Sequence, residues 1–218
     1  MPTSWSHGRE ELFEAIVKAD EAHPIRRVVD FGCGDGYMGK LLRKQLQNLE
    51  LLVGVDVWRP TVARRKVEQP AIYDEAICGD FRRLLTPKGM RKLRALGEDS
   101  SWDLWFFGDC LEHVEKEVAF RILSSDTSRL LAARFPVGLC PQGTGGEGNA
   151  AEAHLWSFYP RELEQVTRTV IHFVGATSPL KRDKFEIPEA IRCPGDPVLN
   201  LEVSCRYVAN VLFGGQLA

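Results

Sequence analysis

Four short apolar segments of this 218-residue chain each carry an aspartate at or just beyond their carboxyl end. Each is short enough for a buried strand, and a helical pattern follows each one. The segments are 27–31, 51–56, 75–80 and 102–107, with aspartates Asp30, Asp56, Asp80 and Asp109. This alternation predicts an α/β fold, a mostly parallel sheet with helices on both faces. Because open α/β sheets bind ligands at the carboxyl ends of their strands, we expect the four carboxylates at a ligand site.

The rest of the chain extends this pattern. Helices are predicted over 10–19, 37–47, 59–68, 81–96 (interrupted near Pro87), 111–133 (with a break near Ser124) and 160–169. Further strands are predicted over 134–139, 170–176 and 199–213. We interpret 1–218 as one domain, with an N-terminal helical segment at 1–24, a glycine-rich loop at 140–154 beside the active site, and an irregular insertion at 178–198.

The turn after the first predicted strand is rich in glycine, with Gly32, Gly34 and Gly36 at alternate positions. Glycines let a ligand approach the backbone, and the N-terminus of the next helix offers free N–H groups to an anion. A dinucleotide fingerprint would have its third glycine where Tyr37 stands, which argues against an NAD-dependent oxidoreductase. Asp56, 20 residues after Gly36, could accept hydrogen bonds from both hydroxyls of a ribose.

The third predicted strand ends in Asp80 and is followed by Phe81. The carboxylate could accept a hydrogen bond from an adenine amino group, and the ring could cover the adenine face. Any one of the four aspartates could simply cap a helix. Four of them in register after a glycine-rich loop make that explanation a poor one.

The motif Asp30-Phe-Gly-Cys-Gly-Asp-Gly, with the later aspartates in order, resembles the class I S-adenosylmethionine (SAM)-dependent methyltransferases over residues 26–170. The resemblance implies a Rossmann-like, mostly parallel seven-stranded sheet and an enzyme that uses SAM as its cofactor. It implies that Gly32, Cys33 and Gly34 line the methionine part of SAM, Asp56 the ribose, and Asp80 with Phe81 the adenine. The other residues expected at the cofactor site are Asp30, Tyr37, Met38, Val57, Asp109 and Cys110.

The acceptor side is predicted around Asp109, Glu112 and His113, which are spaced to share one helical face, and the later His154. One interpretation is a Mg²⁺ or Mn²⁺ site formed by all four residues. This set resembles the Glu-x-x-Glu-His plus later His arrangement of small-RNA 2′-O-methyltransferases, with Asp109 where those have Glu.

Two other interpretations of these residues stay open. One is metal-free general-base catalysis by His113 or His154. The other is a structural role, in which Glu112 caps or pairs. We expect His113, His154 and Glu112 to be the catalytic residues. Trp156 and Tyr159 are expected to contact the substrate.

Composition bears on the acceptor. Lys plus Arg is 28 and Asp plus Glu is 30, a formal net charge of −2, which argues against a nucleic-acid partner and favours a small molecule. Basic residues such as Arg82 and Arg83 are interpreted as a solvated helix face. O-methylation is the first prediction and N-methylation the second. The alternatives are a metal-assisted RNA 2′-O-type methyltransferase and a non-catalytic subunit that binds SAM or S-adenosylhomocysteine (SAH).

The apolar runs are too short to cross a membrane, and no oligomer signature is evident. The six cysteines are scattered without a C-x-x-C pair, as expected for reduced thiols in a cytoplasmic protein.

Overall fold

The computed structural model describes residues 8–68, 72–96, 101–125, 128–137, 150–156, 158, 162, 169–175 and 207–214. Its helices are α1 (Arg9–Ala22), α2 (Tyr37–Gln45), α3 (Arg59–Glu68), α4 (Phe81–Leu84), α5 (Pro87–Arg94) and α6 (Lys116–Leu123). Its strands are β1 (Arg27–Phe31), β2 (Leu51–Asp56), β3 (Glu75–Cys78), β4 (Leu104–Gly108), β5 (Leu130–Val137), β6 (Thr169–Gly175) and β7 (Tyr207–Gly214). Short 3₁₀ turns span Leu111–His113 and Ala150–Glu152.

The strands form one sheet in the order β3-β2-β1-β4-β5-β7-β6. The first five pair in parallel, while β7 runs antiparallel to both β5 and β6. The predicted Rossmann-like α/β class, a parallel sheet flanked by helices, is confirmed. The carboxyl ends of β1, β2, β3 and β4 therefore lie along one edge of the sheet, which is where the predicted aspartates stand.

Each central strand is apolar throughout because both faces of the sheet are covered. Successive side chains of a strand point to opposite faces. Leu104 and Phe106 pack with α1 and α2, whereas Trp105 and Phe107 pack with α5 and α6. Burying each large apolar side chain stabilises the fold by about 1.5–3 kcal/mol, so the apolar layers on the two faces of the sheet provide most of its stability. The predicted N-terminal helix docks on the first face.

Two predictions for the chain after β4 are wrong. Residues 111–133 are not a single helix with a break near Ser124, because a 3₁₀ turn comes first and α6 begins only at Lys116. The fifth strand starts at Leu130, not at residue 134. Leucine and alanine at 130–133 favour a helix in isolation, but hydrogen bonds to β4 and β7 hold them extended.

Several predicted elements fall partly or wholly outside the described residues. They are most of the glycine-rich loop at 140–154, most of the helix at 160–169, the insertion at 178–198, the start of the strand at 199–213, and Tyr159. Among the helices that the structure does describe, none combines the length and apolarity needed to cross a membrane.

Candidate active site

The loop between β1 and α2 has a backbone that only glycine adopts easily. Gly32, Gly34 and Gly36 have φ angles of 71°, 46° and 75°, in the left-handed region. A Cβ atom added to Gly32 would lie 2.5 Å from the Cβ of Cys110, because the chain after β4 packs against the loop. A Cβ on Gly34 would meet only the Gly32 carbonyl oxygen, at 3.8 Å. The space over Gly34 is therefore open enough for a ligand to touch the backbone.

Asp56 is fixed beside this open loop. Its Oδ2 accepts a hydrogen bond from the Gly34 amide at 2.9 Å, and its Oδ1 accepts one from the Trp58 amide at 2.8 Å. Two large apolar side chains stay exposed, Tyr37, which follows the glycine loop, at 45% and Val57, which follows Asp56, at 49%. A carboxylate with adjoining apolar surface fits the predicted contact with a nucleoside ribose.

Arg9, the first residue of α1, reaches the same region. Its guanidinium lies 4.3 Å from the centroid of the Tyr37 ring, a cation–π contact. Gly8 caps α1 with a φ of 73°. The start of α1 thus contacts the residue that follows the glycine loop.

Asp80 has a partner that sequence reasoning missed. Arg82 Nε donates to both Asp80 carboxylate oxygens, at 2.9 and 2.8 Å, and Arg82 Nη1 donates to both Glu115 oxygens at 2.8 Å. Partial burial alone would raise the pKa of Asp80, but the hydrogen bonds and charge of Arg82 outweigh it and lower the pKa. The Arg82 side chain is still 38% exposed, in keeping with its predicted place on a solvated helix face, and sequence reasoning missed only its ion pairs. An adenine amino group would share Asp80 with this guanidinium.

Four other predicted cofactor residues are packing residues in the structure. Cys33, Met38 and Cys110 are buried, and the Cys110 thiol donates to the Phe31 carbonyl oxygen at 3.2 Å. Burial raises the pKa of Cys110 well above its usual range, which keeps the thiol neutral. Phe81 meets the Phe31 ring edge-on at 6.0 Å. These side chains pack beneath the loop between β1 and α2 and hold it in place.

Asp30 is also buried, and it supports the loop through Tyr73. The Tyr73 hydroxyl donates to Asp30 Oδ2 at 2.6 Å. Burial raises the pKa of Asp30 to about 7; the Tyr73 hydrogen bond opposes the rise and the charge of Asp56 adds to it. A Cβ on Gly39 would lie 2.3 Å from the Tyr73 hydroxyl oxygen, so this glycine lets α2 approach the pair.

We expect Asp30→Asn to alter the pH dependence of stability. The folded-state pKa of about 7 lies above the ordinary 3.8, so the folded protein retains a proton that the unfolded chain releases. The stability that this proton contributes is fully present below the pKa of Asp30 in the unfolded chain. It is lost as the pH rises through the pKa of Asp30 in the folded protein. Urea denaturation between about pH 4 and about pH 7.5 should show a smaller fall in unfolding free energy for the variant.

The exposed loop residue Asp35 provides the matched control, because Asp35→Asn should leave the wild-type pH dependence intact. Parallel stability curves for Asp30→Asn and the wild type would contradict the raised pKa.

Asp109 is held by Arg134, another partner that sequence reasoning missed. Arg134 is 0% exposed on β5 and forms an ion pair with the Asp109 carboxylate. Asp109 has a φ of 55°, and its amide donates to the Arg134 carbonyl oxygen at 2.8 Å. Burial raises the pKa of Asp109, while the charges of Arg134, Arg9 and His113 oppose that rise. The one signal in the sequence was a lone arginine within an apolar run.

The predicted helical face shared by Asp109, Glu112 and His113 is therefore wrong. Asp109 has left-handed backbone geometry ahead of a 3₁₀ turn and lies outside any helix. The group that could hold a metal ion consists of Glu112, His113 and His154, without Asp109.

Glu112, His113 and His154, which were predicted on the acceptor side, come together in the structure, although 40 residues separate the two histidine-bearing stretches. One ligand atom from each lies within 4.8 Å of the others. His154 Nε2 is 3.9 Å from Glu112 Oε1, and both side chains are almost completely buried. The histidine rings meet edge-on with centroids 4.9 Å apart. His113 Nδ1 lies 3.1 Å from the Ala153 carbonyl oxygen; with Nδ1 as the donor, Nε2 is left to accept a proton or a metal.

The segment that carries His154 is docked on the 3₁₀ turn by hydrogen bonds. The Leu155 amide donates to the Glu112 carbonyl oxygen at 3.0 Å, and Trp156 Nε1 donates to the Val114 carbonyl oxygen at 2.7 Å. With the His113 contact, these bonds align the two stretches side by side. This docking explains how residues distant in sequence form one cluster.

Trp156, expected to contact the substrate, is a packing residue in the structure. Its ring lies 4.0 Å from Phe158 and 5.8 Å from Phe120, centroid to centroid, and it packs against the core beside α6. With its Nε1–H already bonded to backbone, the indole stabilises the docked segment. The companion residue Tyr159 lies outside the described residues.

Comparisons with known proteins agree with this fold. No family profile matches the chain. A stretch of 82 residues is 34% identical to the ribosomal RNA small subunit methyltransferase C of Stutzerimonas stutzeri (strain A1501), covering 37% of this chain and a quarter (25%) of that relative.

Solved structures match nearly the whole chain at low identity. A SAM-dependent methyltransferase from Archaeoglobus fulgidus has a TM-score of 0.52 at 17% identity, covering 93% of this chain and 94% of its own. The small RNA methyltransferase HEN1 has a TM-score of 0.54 at 16% identity, covering 95% of this chain and 26% of its own. The plantazolicin methyltransferase BamL, in complex with a triazolic desmethylPZN analog and SAH, has a TM-score of 0.55 at 13% identity, covering 95% of this chain and 84% of its own.

The sheet order and these neighbours show that the chain has the fold of class I SAM-dependent methyltransferases. The fold that the sequence resemblance implied is therefore confirmed.

Proposed function

We propose that the protein transfers the methyl group of SAM to a hydroxyl oxygen of a small molecule, at an acceptor site formed by Glu112, His113 and His154. The observation that carries this proposal is the convergence of one carboxylate and two imidazoles within 4.8 Å. These groups can accept a proton from a hydroxyl or hold a metal beside it. A neutral amine nitrogen is nucleophilic without a base or a metal, so the cluster favours O-methylation over N-methylation.

The donor half of the site fits SAM. The open space over Gly34 lets the methionine portion lie against the backbone, and Asp56 offers a carboxylate to the ribose. The exposed side chains of Tyr37 and Val57 can cover apolar portions of the nucleoside. Transfer of a methyl group is a displacement in line with the sulfonium, so the main task of the protein is to orient donor and acceptor.

The acceptor cluster also fits a divalent cation. Glu112 supplies a hard oxygen ligand and the two histidines supply nitrogen ligands, a mixed set that suits Mn²⁺ better than Mg²⁺. A cation held there would lower the pKa of an acceptor hydroxyl. The Ala153 carbonyl orients His113, and Glu112 lies within ion-pair distance of His154, so these imidazoles are positioned before any acceptor arrives.

An RNA 2′-hydroxyl is the second candidate acceptor. The Glu112, His113 and His154 cluster supports it, because its side chains match three of the four in the small-RNA 2′-O-methyltransferase arrangement. The similarity in fold to HEN1 is in keeping with this candidate. The net charge of −2 argues against it, because RNA binding draws on a basic surface.

Two measurements test the proposal separately. In calorimetry, SAH should bind and NAD should not; absence of SAH binding would overturn the donor site. Mn²⁺ should bind at one site and stimulate transfer of labelled methyl to hydroxyl acceptors, and a chelator should abolish the stimulation. Full activity in the presence of a chelator would contradict the metal site and would support metal-free base catalysis by the histidines. SAH binding without turnover on small hydroxyl compounds or RNA would favour the non-catalytic subunit.

A further inference from the structure

The residues proposed for the donor site include no cation, although one end of SAM carries a carboxylate. The methionine portion of SAM is an α-amino acid, which at neutral pH carries both an ammonium and a carboxylate. Asp56 is acidic, Tyr37 and Val57 are uncharged, and the loop glycines offer only backbone amides as donors. A carboxylate is held most strongly by a charged donor. A cation beside the glycine loop would therefore complete the recognition of SAM.

Arg9 lies against the residue that follows the glycine loop. Its guanidinium carbon is 4.3 Å from the centroid of the Tyr37 ring, and Tyr37 begins α2 directly after Gly36. A guanidinium that stacks on a ring uses its flat face, whereas its N–H donors point outward in its own plane. This cation–π contact therefore fixes the side chain and is compatible with hydrogen bonds from the edge of the guanidinium.

Arg9 is also close to the carboxyl end of β4, the strand that pairs with β1. Burial raises the pKa of Asp109, and the charge of Arg9 opposes that rise. The next residue, Cys110, packs so closely on the loop that a Cβ added to Gly32 would lie 2.5 Å from the Cys110 Cβ. The contact with Tyr37 and the proximity to Asp109 together place the Arg9 guanidinium beside the glycine loop.

The charges around Asp109 leave a positive excess that an anionic ligand can balance. Asp109 pairs with Arg134, and Arg9 adds a second positive charge near the same carboxylate, so two cations act on one anion. Arg134 is 0% exposed on β5, whereas Arg9 is partly exposed at the start of α1. Of these two cations, Arg9 is the one that a ligand at the loop can reach.

We propose that Arg9 binds the carboxylate of SAM through N–H groups at the edge of its guanidinium. The inference rests on the proposed donor site, and it adds the residue that recognises the amino-acid end of the cofactor. Arg9 and the nearby carboxylate of Asp109 are together complementary to the two opposite charges of an α-amino acid. Arg9 therefore makes the site select SAM over analogues that lack the carboxylate.

Calorimetric titration of the full chain with SAM and with decarboxylated SAM tests this role, because the carboxylate is the only difference between the two ligands. The wild type should bind SAM more tightly. Arg9→Gln should weaken SAM binding about 10- to 100-fold, the loss of one charge-assisted hydrogen bond, without weakening the binding of decarboxylated SAM. Arg9→Lys keeps the charge but not the planar donor arrangement, so its affinity for SAM should lie between those of the wild type and Arg9→Gln. Lys18→Gln, at an exposed cation further along α1, should bind both ligands like the wild type.

Three results would overturn the role of Arg9 while leaving the donor site intact. They are wild-type affinity for SAM in Arg9→Gln, equal affinity of the wild type for the two ligands, and an equal loss of both ligands in Arg9→Gln. The last of these would show a general disturbance of the site instead of a lost contact with the carboxylate. A wild type that binds neither ligand would overturn the proposed donor site itself, and the role of Arg9 with it.

Discussion

Replacing Arg134 with methionine is expected to lower the free energy of unfolding by about 3–5 kcal/mol. The arginine is completely buried on β5 and pairs with the carboxylate of Asp109, whose side chain is 19% exposed. Methionine preserves much of the side-chain volume, so the main loss is the charge that compensates Asp109. Urea denaturation monitored by circular dichroism would measure the change. The m value would show whether the variant exposes the same surface area on unfolding as the wild type.

A double variant separates the lost charge from lost packing. Asparagine tolerates the left-handed backbone that Asp109 adopts with a φ of 55°, so Asp109→Asn removes the second charge without adding backbone strain. Arg134→Met combined with Asp109→Asn should recover a large part of the lost stability. A loss below about 1 kcal/mol in Arg134→Met would show that the pair is not energetically isolated from water.

Glu112→Gln is expected to weaken Mn²⁺ binding by at least about 100-fold, since even loss of an outer partner of a metal ligand costs 10- to 100-fold. The amide keeps the shape of the side chain but removes the negative charge beside His154, which lies 3.9 Å away. Methyl transfer should fall by about 10²- to 10⁴-fold, the contribution typical of acid–base groups. Calorimetry and a labelled-SAM assay give the two readouts, and SAH affinity should stay unchanged.

Glu117→Gln serves as the matched control, because Glu117 is an exposed carboxylate on α6. It should bind Mn²⁺ and turn over like the wild type. Unchanged Mn²⁺ affinity in Glu112→Gln would remove Glu112 from the metal site. A loss of turnover in a protein that never binds Mn²⁺ would instead support base catalysis assisted by Glu112.

The donor half of the fold could be predicted because its signals are local. The strands before Asp30 and Asp56 have continuous apolar runs, and the predicted bounds of α3 match the structure at 59–68. The region after β4 could not be predicted in the same way. Residues 130–133 have helix-forming side chains, and the extended conformation is imposed by β4 and β7, the second of which is about 80 residues away in the chain.

The candidate site shows the same division. Glu112 and His113 were found as neighbours in sequence, and His154 was found by resemblance to a known arrangement. Two ion pairs were missed, the local one between Arg82 and Asp80 and the long-range one between Arg134 and Asp109, because charged residues in helices or strands are usually solvated. Asp109 was assigned to a helix face because the pattern of spacing does not reveal a left-handed residue.

The hydrogen bonds that dock the His154 segment have a consequence for how acceptor selectivity can evolve. Ala153 and Leu155 contribute only backbone atoms to the docking, and the Leu155 side chain remains 55% exposed. Side chains at these two positions can therefore be exchanged without displacing the histidine between them. At the proposed acceptor site, a few substitutions there could admit a new acceptor while the proposed donor half at β1 and β2 stays unaltered.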